Sequence, residues 1–154
     1  MSEPRARRPS FPDYGVPEAP EGMLSWSWAE ERFAAAHNYW VATASPERGP
    51  HASPVWGLWR DRAFLFSCGR RSRKARDLAD DSRLVVHLES GDDVVILEGR
   101  VEPAVATDED VAMYEQKYDY RPEPGEGWYS LAPRRALAWR EEDYPRSATR
   151  FDFD

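Results

Sequence analysis

Residues 39–68, "YWVATASPERGPHASPVWGLWRDRAFLFSC", decide the fold of this chain. "YWVATA" is a compact apolar run with small residues, and it reads as a strand. "SPERGP" carries the Ser, Pro and Gly of a turn, so "HASPVWGLW" pairs back as a second strand. "RDR" turns the chain again and "AFLFSC" makes a third. Downstream, "RLVVHLE" (83–89), a "SGDD" turn and "VVILEGRVEPAV" (94–105) continue the pattern. A helix, "DEDVAMYEQKY" (108–118), then leads through the Pro/Gly loop "RPEPGEG" (121–127) to the last strands, "RRALAWR" (134–140) and "ATRFDF" (148–153). Upstream, Ser25 or Ser27 caps a helix through "WAEERFAAAHN" with Trp28, Phe33 and Ala36 on one face. The pattern predicts an α+β fold, mainly antiparallel β: a barrel of six to seven short strands with flanking helices. Residues 1–24, rich in Pro, Arg and Glu without periodicity, are expected to form a flexible arm able to lie over a partner subunit, with one domain over 25–154.

The chain has 154 residues, 41% hydrophobic and 13% aromatic, enough for one domain with a real core. No apolar run approaches the ~20 residues of a membrane span, and no signal-peptide core opens the sequence. Cys68 is the single cysteine, which excludes an internal disulfide or a cysteine zinc cluster and makes the cytoplasm the expected home. His37, His51 and His87 show no metal-ligand spacing. A net charge of -7 argues against nucleic acid as a partner.

Against that acidic background, "FSCGRRSRKARDLADD" (66–81) packs Arg70, Arg71, Arg73, Lys74 and Arg76 into one strand-to-helix turn. Ser72 is placed as the N-cap of "RKARDLADD", with Arg73 and Lys74 in the first turn. That is the unfavourable end for a cation, costing about 0.3–1 kcal/mol each unless an anion is present. The same end offers free backbone N–H groups. Cap hydroxyl, orphan amides and cations together describe a phosphate site. The alternative is a solvated face with Arg73–Asp77 and Arg76–Asp80 helical ion pairs, in the weaker order of base before acid.

The order "PHASPVW" (50–56), "SRKARDL" (72–78), "EGRVE" (98–102), a late Trp and "ATRF" (148–151) resembles the FMN-binding split barrels of the pyridoxamine 5'-phosphate oxidase superfamily. It is closer still to the actinobacterial flavin/deazaflavin-dependent oxidoreductases, over residues 25–154. The resemblance implies a split β-barrel and a cofactor phosphate held by Ser72, Arg73 and Lys74. It implies that Ser67 and Cys68 line the same site, and that Pro54, Val55 and Trp56 run under the tricyclic ring. Trp139 and Arg150 would reach in from the second subunit of a homodimer. Two positions depart from the oxidase pattern. "PRSATRF" (145–151) lacks the Arg-Leu-His run that holds the substrate phosphate, and Val94 stands where the oxidases carry glutamine.

FMN ends in one phosphate, whereas coenzyme F420 adds a phospholactyl group and a glutamate tail. Arg70 and Arg71 exceed what one phosphate needs, so F420 is the favoured cofactor, with FMN as the alternative. The implied activity is an oxidoreductase passing hydride to an unsaturated small-molecule acceptor; a carrier that binds flavin or haem without turnover is the competing class. Cys68 reads either as a reactive thiol near a helix start or, preferably, as a small buried residue. Tyr114, Tyr118, Tyr120, Trp128 and Tyr129 flank the Pro/Gly loop and are candidates to roof a substrate pocket; the alternative is that Tyr114 and Tyr118, four apart on a helix, pack on the barrel.

Overall fold

The computed structural model describes residues 2–154. Nine strands form one antiparallel sheet: β1 (Arg5–Arg7), β2 (Tyr39–Ser45), β3 (Gly49–Val55), β4 (Leu58–Arg60), β5 (Ala63–Ser67), β6 (Arg83–Leu88), β7 (Asp93–Ala106), β8 (Gly125–Arg140) and β9 (Thr149–Asp152). Three helices flank it: α1 (Trp26–Ala35), α2 (Arg73–Asp80) and α3 (Asp108–Tyr118). The main path runs β1-β9-β8-β7-β6-β2-β3, and β5, carrying β4, joins at β8. β8 is the reason for the fork. Its start, Trp128–Leu131, pairs with β5, its end, Arg135–Ala138, pairs with β9, and β7 runs along its other edge. The sheet does not close, because β1, β3 and β4 each have a single neighbour. This is the expected α+β split-barrel architecture.

The strand count exceeds the expected six to seven for local reasons. "HASPVWGLW" is two strands, broken at Trp56–Gly57. A Cβ on Gly57 would sit 2.3 Å from Phe64 Cζ, so only glycine fits where this backbone crosses the core ring. β8 begins inside the Pro/Gly loop, at Gly125, with Gly125 (φ 93°) and Gly127 (φ 99°) supplying the backbone conformations that other residues avoid. The N-terminal segment also differs from the free arm expected of it. β1 pairs with β9, and Arg8 donates to the carbonyls of Arg146 (2.6 Å) and Ala148 (2.8 Å) in its own chain.

Helix ends follow local chemistry. Ser25 caps α1 by accepting from Trp28 N, two residues earlier than the "WAEERF" reading, so Trp26, Ala29 and Phe33 face inward while Trp28 stays half-exposed under Arg32. Thr107 and Asp110 form a reciprocal capping box on α3, behind three acids in its first turn. β5 is buried on both sides. Phe64 and Phe66 enter the main core with Phe33, Tyr39, Leu97 and Phe151, while Leu65 enters a second cluster with Val111, Tyr114, Tyr118 and Trp128 beneath α3. The packing reading of Tyr114 and Tyr118 therefore holds.

The junction of α1, α3 and the β3–β4 link is tied by Lys117. Its ammonium donates to Tyr39 Oη (2.8 Å) and Gly57 O (3.0 Å), and lies 3.4 Å from Ala34 O at the end of α1. Tyr39 in turn donates to Phe33 O at 2.6 Å, so two orphan carbonyls of α1 are satisfied from outside the helix. Burial pulls the Lys117 pKa down to about 8 and pushes Tyr114 up to about 12; Tyr39 and Tyr118 are also raised.

Two outcomes are expected. Gly57→Ala should lose about 1–3 kcal/mol of stability from overpacking, read as a lowered urea midpoint. Stability should rise with pH from about 8, because the folded chain sheds the Lys117 proton before the unfolded chain does, until tyrosines of the unfolded chain begin to ionise as pH approaches their ordinary 10.0. Above that window it should fall, since exposed tyrosines of the unfolded chain ionise before the buried ones. Thermal melts across this range should show a maximum, and Lys117→Met should abolish its rising limb.

Candidate cofactor site

The turn after β5 is built by short-range bonds. Ser72 N donates to Gly69 O at 2.9 Å, and Ser72 Oγ accepts from Ala75 N at 3.2 Å, which makes Ser72 the N-cap expected of it. The amides of Arg73 and Lys74, first in the helix, have no intrahelical acceptor.

α2 is locked from its other face. Asp77, fully buried, accepts from Thr43 Oγ1 on β2 (2.8 Å) and from Arg48 Nε in the β2–β3 turn (2.8 Å). Arg48 also reaches Asp80 at 2.8 Å. The Arg48 bond holds the Asp77 pKa below its ordinary value, aided by Thr43 and by the charge of Arg73, while burial opposes them. The helical pairs Arg73–Asp77 and Arg76–Asp80 are thus absent, because Arg48 occupies both acids. No carboxylate among the described residues pairs with Arg71, Arg73, Lys74 or Arg76. Arg70 meets only Glu126, at 3.9 Å between side chains more than four-fifths exposed, a contact worth little.

Arg73 differs from its neighbours. Its guanidinium donates to Arg48 O (2.6 Å) and Pro50 O (3.2 Å), and its Nε is buried with no partner. Arg71 is exposed and Lys74 half-buried, both free to meet an anion. Cys68 is half-buried, and burial raises its thiol pKa although Ser72 and Lys74 pull the other way.

Beside α2 lies a hollow of about 570 Å³, with Cys68, Arg70, Ala75 and Ala79 on one wall and Ala104, Trp128 and Tyr129 on the other. Of the residues expected to hold or border the phosphate, Cys68 lines this hollow, whereas Ser67, Ser72 and Lys74 do not and the Arg73 guanidinium is turned toward Arg48 O and Pro50 O. Pro54, Val55 and Trp56 lie at the far end of β3, about 13 Å from Pro50 at ~3.3 Å per residue. Pro54 is exposed on this edge strand, Val55 is buried in the core, and Trp56 stacks on Tyr118 with centroids 4.6 Å apart. Trp139 packs edge-on to Phe11 and Tyr144, and Arg150 pairs with Asp152 at 2.7 Å; neither lines the hollow beside α2.

Sequence reasoning missed Arg48 and Lys117. Lys117 carried a signal, since it and Lys74 are the only lysines in an arginine-rich chain. Arg48 carried none, because only folding brings a turn residue onto a helix 29 positions away.

An open antiparallel barrel with an anion-receptive helix start defines a split-barrel protein. The family described as pyridoxamine 5'-phosphate oxidase matches residues 28–140, and the chain belongs to that family. Similar solved structures include a FAD-binding protein from Mesorhizobium loti, 15% identical at a TM-score of 0.60, covering 82% of this chain and 94% of that one. A conserved hypothetical protein from Mycobacterium tuberculosis is 21% identical at a TM-score of 0.58, covering 77% and 86%. A haem-binding protein from Mycobacterium smegmatis is 21% identical at 0.55, covering 76% of this chain and 55% of its own. At these identities the likeness is one of fold. No protein of curated function matches the sequence. Among the described residues, no helix is long and apolar enough to cross a membrane.

Asp77 supplies a test of how α2 is held. Its pKa lies below the ordinary value when folded, so its stabilisation is present above that value and lost as pH falls through the folded one. Asp77→Asn should lower the melting temperature at neutral pH and flatten the loss of stability on acidification. An acid limb unchanged in the variant would remove Asp77 from this role.

Proposed function

We propose that the chain is an oxidoreductase of the split-barrel family that binds a flavin-type cofactor, coenzyme F420 in preference to FMN. The observation that carries this reading is the set of cations at the start of α2, left without carboxylate partners because Arg48 holds both Asp77 and Asp80. The residues present fit a phosphorylated group. Lys74 offers a free ammonium, the first α2 amides offer N–H donors, and the buried Arg73 Nε lacks an acceptor.

Once bound, such a cofactor supplies the hydride chemistry. The chain's own residues orient it. Ser72 and Lys74 hold the phosphate, while Arg73 braces the turn against Arg48 and Pro50. Arg71 lies outward, where a tail of further negative charge would run. The separation of α2 from Pro54–Trp56 leaves room for a ligand with its phosphate at one end of β3 and its ring at the other. Pro54 would present its side chain there and Val55 its backbone, since the Val55 side chain is in the core. Ser67 and Cys68 border the same turn. Trp139 and Arg150 would come from the second copy of a homodimer, and an unsaturated small molecule would accept the hydride.

Titration with F420 and with FMN tests the reading, and binding of neither would sink it. Lys74→Ala should weaken binding by roughly ten- to a hundredfold, through loss of a charge-assisted hydrogen bond worth about 1.5–3 kcal/mol. The apoprotein should be unchanged or slightly stabilised, as a cation leaves the positive end of a dipole. Arg71→Ala should weaken F420 while hardly affecting FMN; equal losses would refute the tail contact. Tight binding without oxidation of the reduced cofactor by quinones, enones or tetrapyrroles would instead assign a carrier.

A further inference from the structure

A second hollow, of about 410 Å³, opens where β6, β7, β8 and β9 run side by side. Arg83, Arg100, Arg134, Arg135 and Arg150 line it, against only Glu98 and Asp152. At the rim, Asp81 engages Arg83 (2.6 Å) and Arg7 engages Asp152 (2.7 Å), so the positive excess stands. This is a concentration of cations in a chain whose formal charge is -7.

The ladder itself enforces the crowding. Arg83 lies directly opposite Arg100 in the β6–β7 register, and like charges so placed are destabilising unless something neutralises them. Arg134 arrives by a different device. Glu98 pairs with Arg135 and Gly99 with Pro133, which leaves Arg134 as the extra residue of a bulge. Regular alternation would send Arg134 and Arg135 to opposite faces, yet both line the hollow. Two neighbours maintain the bulge. Pro133 has no N–H to give to the ladder, and a Cβ on Gly99 would lie 2.8 Å from Ala132 O and from Leu131 Cδ1. Within the set, Arg135 is held by Glu98 and Arg150 by Asp152. Arg100 has only the Ser82 hydroxyl, at 3.1 Å, and exposed Arg134 has no carboxylate partner among the described residues.

We propose that this hollow is an oxyanion site, separate from the start of α2, that takes a compact and multiply charged ligand of the diphosphate class. Guanidinium groups offer paired N–H donors that match phosphate oxygens, and the unneutralised charges suit a diphosphate better than a single carboxylate. The volume lies within the range of small-molecule sites. The diphosphate could be free or part of a nucleotide, so both forms enter the test. Arg150 is the one lining residue that the flavin reading also uses, so the test is placed on Arg100 and Arg134, which that reading does not use.

Inorganic pyrophosphate and ADP are titrated calorimetrically into the full chain and into Lys74→Ala, which weakens the α2 site. One saturable event per chain should persist in Lys74→Ala with at least one of the two ligands. Adding Arg100→Gln and Arg134→Gln should weaken it by about tenfold or more, with the fold checked by circular dichroism. Tighter ADP than pyrophosphate assigns the site to nucleotides, and equal affinities assign it to the diphosphate alone. A Lys74→Ala chain that binds neither ligand overturns the proposal, as does binding unmoved by the two arginine changes. The F420 and FMN titrations are read separately and fail or succeed on their own.

Discussion

Asp77 is a carboxylate with no exposure to solvent, and much of the geometry around the start of α2 follows from how it is satisfied. An unpaired charge in that position would be costly, so its oxygens need donors. Thr43 and Arg48 provide them from β2 and from the turn that follows, which pins α2 to the β2–β3 hairpin. Arg48 reaches Asp80 as well, so one guanidinium consumes the acidity of the helix. The cations of the first turn are then left with nothing inside the chain to neutralise them. A structural ion pair on one face of α2 thus creates the anion-receptive character of its N-terminus.

The same economy of placement operates in β8. This strand has 16 residues, and β7 follows it along one edge while β5 and β9 divide the other. Its N-terminal half brings Trp128 and Tyr129 to the hollow beside α2, and its C-terminal half brings Arg134 and Arg135 to the arginine hollow. The bulge between the two halves turns one of those arginines out of alternation. Forking lets a single sheet wrap two distinct concave surfaces of different chemistry, one mixed and the other strongly cationic. It also buries β5 on both faces, and this is why Gly57, packed beside Phe64, tolerates no side chain.

The two lysines illustrate how position sets chemistry. Lys74, at the start of a helix and half-exposed, keeps an ammonium available for an external anion. Lys117, at the junction of α1 and α3, spends its donors on Tyr39 and on carbonyl groups within the chain. Neither role can be assigned from residue type, since the distinction depends on what surrounds each ammonium after folding.

Local chemistry was legible before folding. The antiparallel class followed from apolar runs separated by turn residues, and the anion-receptive start of α2 followed from a cap hydroxyl, orphan amides and adjacent cations. These features depend on neighbours within four residues, so a linear reading captures them. The break at Gly57 and the early start of β8 rest on a contact seven residues away and on glycines with positive φ inside a loop, and the docking of the N-terminal segment on β9 rests on contact between distant strands, so none was legible. The same holds for Arg48 on Asp77, 29 positions apart, and for the arginines gathered from four strands. Taken by itself, the sequence determined the type of fold and the crowding of cations at a capped helix start. Only the tertiary structure decided which of those charges were left without a carboxylate partner, because neutralisation inside a protein depends on distance in space rather than along the chain.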